Sequence, residues 1–414
     1  MKLEKSKLIG NKTIQISGSK SISNRLLILE SLFKNIKINN LSNSQDTQLL
    51  KKALSADSEI VDIHHAGTAM RFLTSYYSIL SEDERQEGRT TILTGSGRMK
   101  ERPIKNLVTA LQDLGAEIEY LENEGFPPLK ITGKRIVQSK VDVPANISSQ
   151  FITSLLLIAG KLKNGLEINL TGKITSRSYI EMTLDILTKF GIKNTFEGNT
   201  IKVEPFENDQ SSITDYEVES DWSSASYFYS FCAIGRETIH LKSFYKESTQ
   251  GDSAIAKIYH EFFGIKTVFS EDEHKISLQP DSDFQFPEKI ILDMNNCPDI
   301  AQTLCVTASA LKIPFEISGL GTLKVKETDR LLALHNELKK LGTETEITDS
   351  TIKSINFKEA EENISIKTYQ DHRMAMSFAP FCLIAALNIE DENVVEKSYP
   401  MFWEDLKIIS FNTK

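Results

Sequence analysis

The chain is expected to fold as an α/β protein, and three observations carry that expectation. Apolar residues recur at helical spacing, a glycine closes each such segment, and two short alternating stretches around a polar turn follow it. The clearest copy is 104–133. There Ile104, Leu107, Val108, Leu111 and Leu114 share a helical face, Gly115 is placed to end the helix, and Ala116, Ile118 and Tyr120 alternate as in a half-buried strand. Residues 179–203, closing at Gly191, repeat the pattern, as do 253–278 at Gly264 and 327–357 at Gly342. Further apolar helices are expected over 149–162, 224–235 and 299–312. Two helices plus several strands make a period too long for a solenoid, so globular duplication in layers is the better reading. The segment 207–217 is the best candidate for a boundary.

At 414 residues the chain exceeds the size at which one core stops growing, so more than one domain is expected. A net charge of −9 argues against a nucleic-acid coat or a membrane-surface protein. The most apolar runs, 151–160 and 378–389, are too short to span a bilayer, and the N-terminal MKLEKSKLIG has no signal-peptide h-region. Cys232, Cys297, Cys305 and Cys382 form no CxxC and have no His at metal spacing, so they read as buried cytosolic thiols. No metal or other cofactor is expected, and the expected setting is the cytoplasm.

Against the acidic background, seven short blocks gather Arg, Lys and hydroxyl groups: GSKSISNR (18–25), HAGTAMR (65–71), GSGRMKERP (95–103), ISSQF (147–151), TSRSY (175–179), KVKETDR (324–330) and YQDHRM (369–374). Most open onto an apolar, helix-periodic run. Helix N-termini present unpaired N–H groups and a positive dipole end, so such blocks make anion sites. They point to a small substrate carrying several negative charges. Each block also has a structural reading. Pro103 suits a first helical position, Asp299 after Pro298 suits a helix cap, and Lys326 with Arg330 suits one face of a helix.

In their order, these blocks together with DWSSASYF and MNNCPDIAQT resemble the 5-enolpyruvylshikimate-3-phosphate synthase family over nearly the whole chain. The resemblance implies a two-lobed inside-out α/β barrel, each lobe built of three βαβαββ-type repeats. It places one lobe at 1–19 with 220–414 and the other at 20–219, with the active-site cleft between them. It implies transfer of the enolpyruvyl group of phosphoenolpyruvate to the 5-hydroxyl of shikimate 3-phosphate, with glyphosate as an inhibitor at the phosphoenolpyruvate site. Both substrates carry a carboxylate and a phosphate, which guanidinium forks and ammonium groups suit. A monomer that binds neither nucleic acid nor membrane is expected.

Carried over residue by residue, the resemblance assigns shikimate 3-phosphate to Lys20, Ser21, Arg25, Ser148, Ser149, Gln150, Ser176, Tyr179, Asp299 and Lys326. It assigns phosphoenolpyruvate to Lys20, Gly67, Thr68, Arg102, Gln150, Glu327, Arg330, Arg373 and Lys397. Asp299 is the implied base for the 5-hydroxyl and Glu327 the implied acid for the methylene carbon, with Lys20 a rival for one proton. The chain departs from the commoner family pattern at His65, Phe72, Thr322 and Trp222. Two other readings are weighed. A transferase acting on UDP-N-acetylglucosamine would look for a reactive cysteine in the lobe lacking the termini, yet all four cysteines fall at or beyond Cys232. A non-catalytic anion-binding protein on the same fold would lack an acid–base pair, yet Asp299 and Glu327 are both present.

Overall fold

A computed structural model describes residues 1–33, 36–80, 88–146, 148–206 and 214–412. The chain divides into a terminal unit, Met1–Ser19 with Glu219–Lys414, and an inserted unit, Lys20–Val218. Of the candidate boundary at 207–217, residues 207–213 lie outside the described residues, as does residue 147 of the ISSQF block. The remainder, Thr214–Glu217, is a strand running parallel to Ile36–Asn39.

One plan recurs in the sheets. In the inserted unit, Ile60–Asp62 and Thr90–Thr94 are parallel neighbours joined through the helix Gly67–Ser78. A second helix, Lys105–Asp113, then leads to the antiparallel hairpin Glu117–Tyr120 and Leu129–Thr132, whose second strand docks on Thr90–Thr94. Parallel strands need a crossover of this kind, whereas the hairpin needs only a turn. Lys140–Pro144, Leu166–Thr171, Asn194–Glu197 and Thr200–Val203 repeat the plan with helices Ser149–Ala159 and Arg177–Lys189.

The terminal unit contains the same plan over Ile290–Phe357, with helices Ala301–Ala310 and Arg330–Lys340. Another of its sheets pairs Lys12–Ile14 in parallel with Ile239–Lys242, although the whole inserted unit intervenes in sequence. Four of the hairpins follow a helix closed by a glycine at positive φ: Gly115, Gly191, Gly264 and Gly342 have φ of 104°, 78°, 64° and 84°. At Gly115 the Ala116 N–H returns to the Leu111 carbonyl at 2.9 Å, satisfying a carbonyl the helix end would leave open.

Each unit has its own core. Leu26, Leu73, Leu111, Ile152 and Leu187 belong to that of the inserted unit, and Phe228, Leu304, Phe315 and Met376 to that of the terminal unit. The helices that carry the cationic blocks bury their later turns in these cores. Their first turns are thereby held in place, and the polar groups on them inherit that rigidity.

Candidate active site

In the inserted unit the assigned groups collect at the starts of four helices. Lys20 opens the helix Lys20–Leu32, and its Nζ lies 3.4 Å from Asp46 Oδ2 at the start of the helix Gln45–Leu54. Arg25, one turn on, is 3 % exposed; it donates to Thr183 Oγ1 at 2.9 Å, the Ser21 carbonyl at 2.7 Å and the Tyr179 carbonyl at 3.2 Å. Burial pushes its guanidinium down to about 10, with Tyr179 opposing. It therefore stays charged at neutral pH and ties together the segments bearing Ser21 and Tyr179.

Gly67 begins the helix Gly67–Ser78 in close contact with Arg102. A Cβ on Gly67 would sit 2.3 Å from Arg102 Nη1, so only glycine admits the guanidinium at this distance. Arg102 Nε is buried and makes no hydrogen bond, a donor left over for a ligand. Arg71 braces both segments, donating to the Gly67 carbonyl at 3.0 Å and the Pro103 carbonyl at 3.4 Å. Gln150 Nε2 donates to Thr68 Oγ1 at 3.3 Å, and Ser148 caps the helix Ser149–Ala159 by accepting from Gln150 N at 3.3 Å.

In the terminal unit four cations meet four carboxylates. Arg330 donates from Nε to Asp371 Oδ2 at 2.6 Å, from Nη1 to Asp299 Oδ1 at 3.0 Å and from Nη2 to Glu327 Oε2 at 2.8 Å. Lys326 Nζ is 3.4 Å from Asp299 Oδ1, Arg373 Nη2 is 3.4 Å from Asp299 Oδ2, and Lys397 Nζ is 2.9 Å from Glu327 Oε1. Burial would raise the Asp299 carboxyl, but Lys326, Arg373 and Arg330 hold it well below the usual carboxylate range, against the like charge of Glu327. Burial would lower the Arg330 guanidinium, yet Asp371, Glu327 and Asp299 hold it above its ordinary value. The fourth carboxylate, Asp252, accepts from Ser223 Oγ, and Ser223 Oγ in turn accepts from Arg373 Nη2 at 3.2 Å. Burial pushes Asp252 up to about 6, with Arg373 opposing and Asp299 adding like charge.

Several local expectations are corrected. Lys326 and Arg330 do not share a helical face. The helix begins at Arg330 with Asp329 as its cap, and Lys326 lies in the preceding turn; the two converge on Asp299 instead. Asp299 lies inside the short turn Pro298–Ile300 rather than at the cap position of the helix that follows, which Ile300 occupies, and its carboxylate meets Lys326, Arg330 and Arg373. Pro103 precedes its helix, which starts at Lys105. Ser176 heads Arg177–Lys189 from a left-handed conformation, φ 52°, without capping it. Thr322 Oγ1 is buried and makes no hydrogen bond.

Asp46, Arg71, Ser223, Asp252 and Asp371 were not singled out from the sequence. Asp371 lies within YQDHRM, and an acid two residues before Arg373 is the available signal. Asp252 offered none, because its neighbours in the fold are remote in sequence.

Residues 50–406 match the family model for EPSP synthase (3-phosphoshikimate 1-carboxyvinyltransferase). The chain belongs to the EPSP synthase family. A 3-phosphoshikimate 1-carboxyvinyltransferase of Bacteroides fragilis is 42% identical over 408 residues, covering 97% of this chain and 96% of the relative. One from Haemophilus influenzae is 37% identical over 432 residues, with 96% of each chain covered. Among solved structures, the EPSP synthase of Acinetobacter baumannii superposes with a TM-score of 0.71 at 22% identity, over 98% of both chains. The enolpyruvyl transferase NikO of Streptomyces tendae gives 0.71 at 12%, covering 100% of this chain and 98% of its own. At those identities the structures speak to the mixed α/β fold alone. The EPSP synthase family match and the ordered motifs speak to the chemistry.

Proposed function

We infer that the chain transfers the enolpyruvyl group of phosphoenolpyruvate to the 5-hydroxyl of shikimate 3-phosphate and releases phosphate. It is a transferase of the shikimate pathway, which feeds aromatic amino acid biosynthesis. The observation that carries this is similarity along essentially the full length to curated 3-phosphoshikimate 1-carboxyvinyltransferases. The proposed architecture is the two-lobed inside-out barrel, with both units bringing groups to one pair of substrates.

Addition requires a bond from the 5-oxygen to C2 of phosphoenolpyruvate, with the hydroxyl proton removed and a proton added at the methylene carbon. Elimination then breaks the C2–O bond to phosphate and returns a methyl proton to the protein. Lys20, Ser21, Arg25, Ser148, Ser149, Gln150, Ser176, Tyr179, Asp299 and Lys326 take shikimate 3-phosphate on this reading. Lys20, Gly67, Thr68, Arg102, Gln150, Glu327, Arg330, Arg373 and Lys397 take phosphoenolpyruvate.

Asp299 is assigned to the hydroxyl proton and Glu327 to the methylene carbon. Both carboxylates are neutralised by cations in the free protein, with Lys326, Arg330 and Arg373 on Asp299 and Arg330 and Lys397 on Glu327. Substrate anions compete for the same cations. Each pair they loosen gives its carboxylate back some affinity for a proton, so binding itself prepares the acid and base. Anchoring both substrates between fixed charges supplies orientation and electrostatic stabilisation.

The UDP-N-acetylglucosamine reading is disfavoured by the cysteines. All four are buried, and burial pushes the thiols of Cys232, Cys297 and Cys382 up to about 12, which makes them poor nucleophiles. The test is phosphate release by the purified protein. Release should require phosphoenolpyruvate and shikimate 3-phosphate together. Release with UDP-N-acetylglucosamine instead would reverse the assignment.

A further inference from the structure

Glu219 is a buried carboxylate that the site assignments give to neither substrate. It is 6 % exposed, and among the described residues no cation pairs with it. Four donors converge on it. Trp222 Nε1 at 2.7 Å and Tyr245 N at 3.1 Å reach Oε1, while Ser248 Oγ at 2.6 Å and Gln250 Nε2 at 2.8 Å reach Oε2. A charge buried without a counter-ion is costly, and converging donors of this number are what hold one in place.

The donors come from two segments. Trp222 opens the helix Trp222–Gly235, whereas Tyr245, Ser248 and Gln250 belong to the loop after the strand Ile239–Lys242. Gln250 binds them together a second time, accepting from Trp222 N at 3.1 Å and donating to the Ser220 carbonyl at 2.8 Å. The indole of Trp222 is wedged edge-on against Phe244, with centroids 4.9 Å apart. Both segments then reach the site. Ser223, the next residue on the helix, donates to Asp252, two residues beyond Gln250 in the loop, and accepts from Arg373 Nη2 at 3.2 Å.

We propose that Glu219, Gln250 and Trp222 are positioning residues that aim the Arg373 guanidinium at phosphoenolpyruvate through the Ser223–Asp252 contact. The proposal rests on the assignment of Arg373 to that substrate. Moving the helix start against the loop would separate Ser223 from Asp252 and release one side of the guanidinium. Displacement of a binding group by about an ångström is enough to lower reactivity markedly.

The test is steady-state kinetics of Glu219→Gln, Trp222→Phe and Arg373→Ala. The Gln amide brings two donors to a place where four donors already point, so it breaks part of the network. Glu219→Gln should raise KM for phosphoenolpyruvate by roughly tenfold, the scale of one hydrogen bond to a charged group. KM for shikimate 3-phosphate should stay unchanged. Trp222→Phe keeps a ring and removes one donor, so it should give a smaller rise in the same constant.

In a Trp403→Phe background Trp222 is the only indole. Its emission should shift when phosphoenolpyruvate joins the shikimate 3-phosphate complex. If Glu219→Gln does not fold, Trp222→Phe and this emission decide the matter. Arg373→Ala separates the two levels: an unchanged KM for phosphoenolpyruvate there would remove the Arg373 assignment itself. A raised KM in Arg373→Ala, with wild-type values in Glu219→Gln and Trp222→Phe, would overturn the positioning role alone.

Discussion

Arg330 and Arg102 were read alike from the sequence, as anchors for phosphoenolpyruvate, but their surroundings separate them. Arg330 is 2 % exposed and donates to three carboxylates, whereas Arg102 keeps a buried Nε without a hydrogen-bond partner. Arg330→Ala would leave Asp299, Glu327 and Asp371 facing one another, at a cost of about 3–5 kcal/mol. A large fall in denaturation midpoint is the expected result. Arg102→Ala should leave that midpoint near wild type and lower kcat/KM for phosphoenolpyruvate, by roughly the 2–5 kcal/mol of a buried charged contact. Gly67→Ala should act in the same direction, because its Cβ would displace the Arg102 guanidinium. Asp252 allows a test by pH. Its carboxyl is raised from 3.8 to about 6, so the stability it contributes is fully present below about pH 4 and is lost as pH rises through 6. Asp252→Asn, which stays neutral, should therefore be more stable than wild type at pH 7.5, by on the order of 3 kcal/mol, and unfold at a higher temperature. The difference should vanish near pH 4, while activity falls throughout. Of these contacts the motifs made only Arg330 beside Glu327 legible, since its other partners come from positions 299 and 371 and Asp252 sits in no motif.

Among the secondary-structure elements, what sequence could show was local chemistry. A helix ended by glycine and followed by alternating residues is decided within one short stretch of chain. All four such segments are helices running into hairpins, with the glycine at positive φ. The helix starts were harder to read. KVKETDR has helical spacing throughout, yet the Asp329 carboxylate accepts from Leu332 N and starts the helix later than the spacing suggests. The pairing of Lys12–Ile14 with Ile239–Lys242 had no local signal at all, because its register depends on a distant strand. The closing glycines should differ in their tolerance of alanine. At Gly191 the nearest contact for a Cβ is Phe206 at 3.8 Å, so only backbone strain of about 1–2 kcal/mol is expected. At Gly342 the Cβ would meet the Lys358 carbonyl oxygen at 2.4 Å. Chemical denaturation should rank Gly342→Ala well below Gly191→Ala, and equal losses would mean that strain alone governs both positions.

Across the whole molecule, composition bounded the partners and the ordered motifs named the family, but neither could say how charge is arranged before substrate arrives. In the terminal unit the answer is near-neutrality: Lys326, Arg330, Arg373 and Lys397 are held by Asp299, Glu327, Asp371 and Asp252 through direct contacts or through Ser223. In the inserted unit Lys20 faces Asp46, and Arg102 has a donor to spare. Enolpyruvyl transfer by addition and elimination is tested most directly by a single reaction in D2O followed by proton and phosphorus magnetic resonance. With phosphoenolpyruvate and shikimate 3-phosphate the protein should form inorganic phosphate and a vinyl ether in equal amounts, with deuterium entering the methylene group. Phosphate without vinyl ether, or no turnover until another acceptor replaces shikimate 3-phosphate, would contradict it.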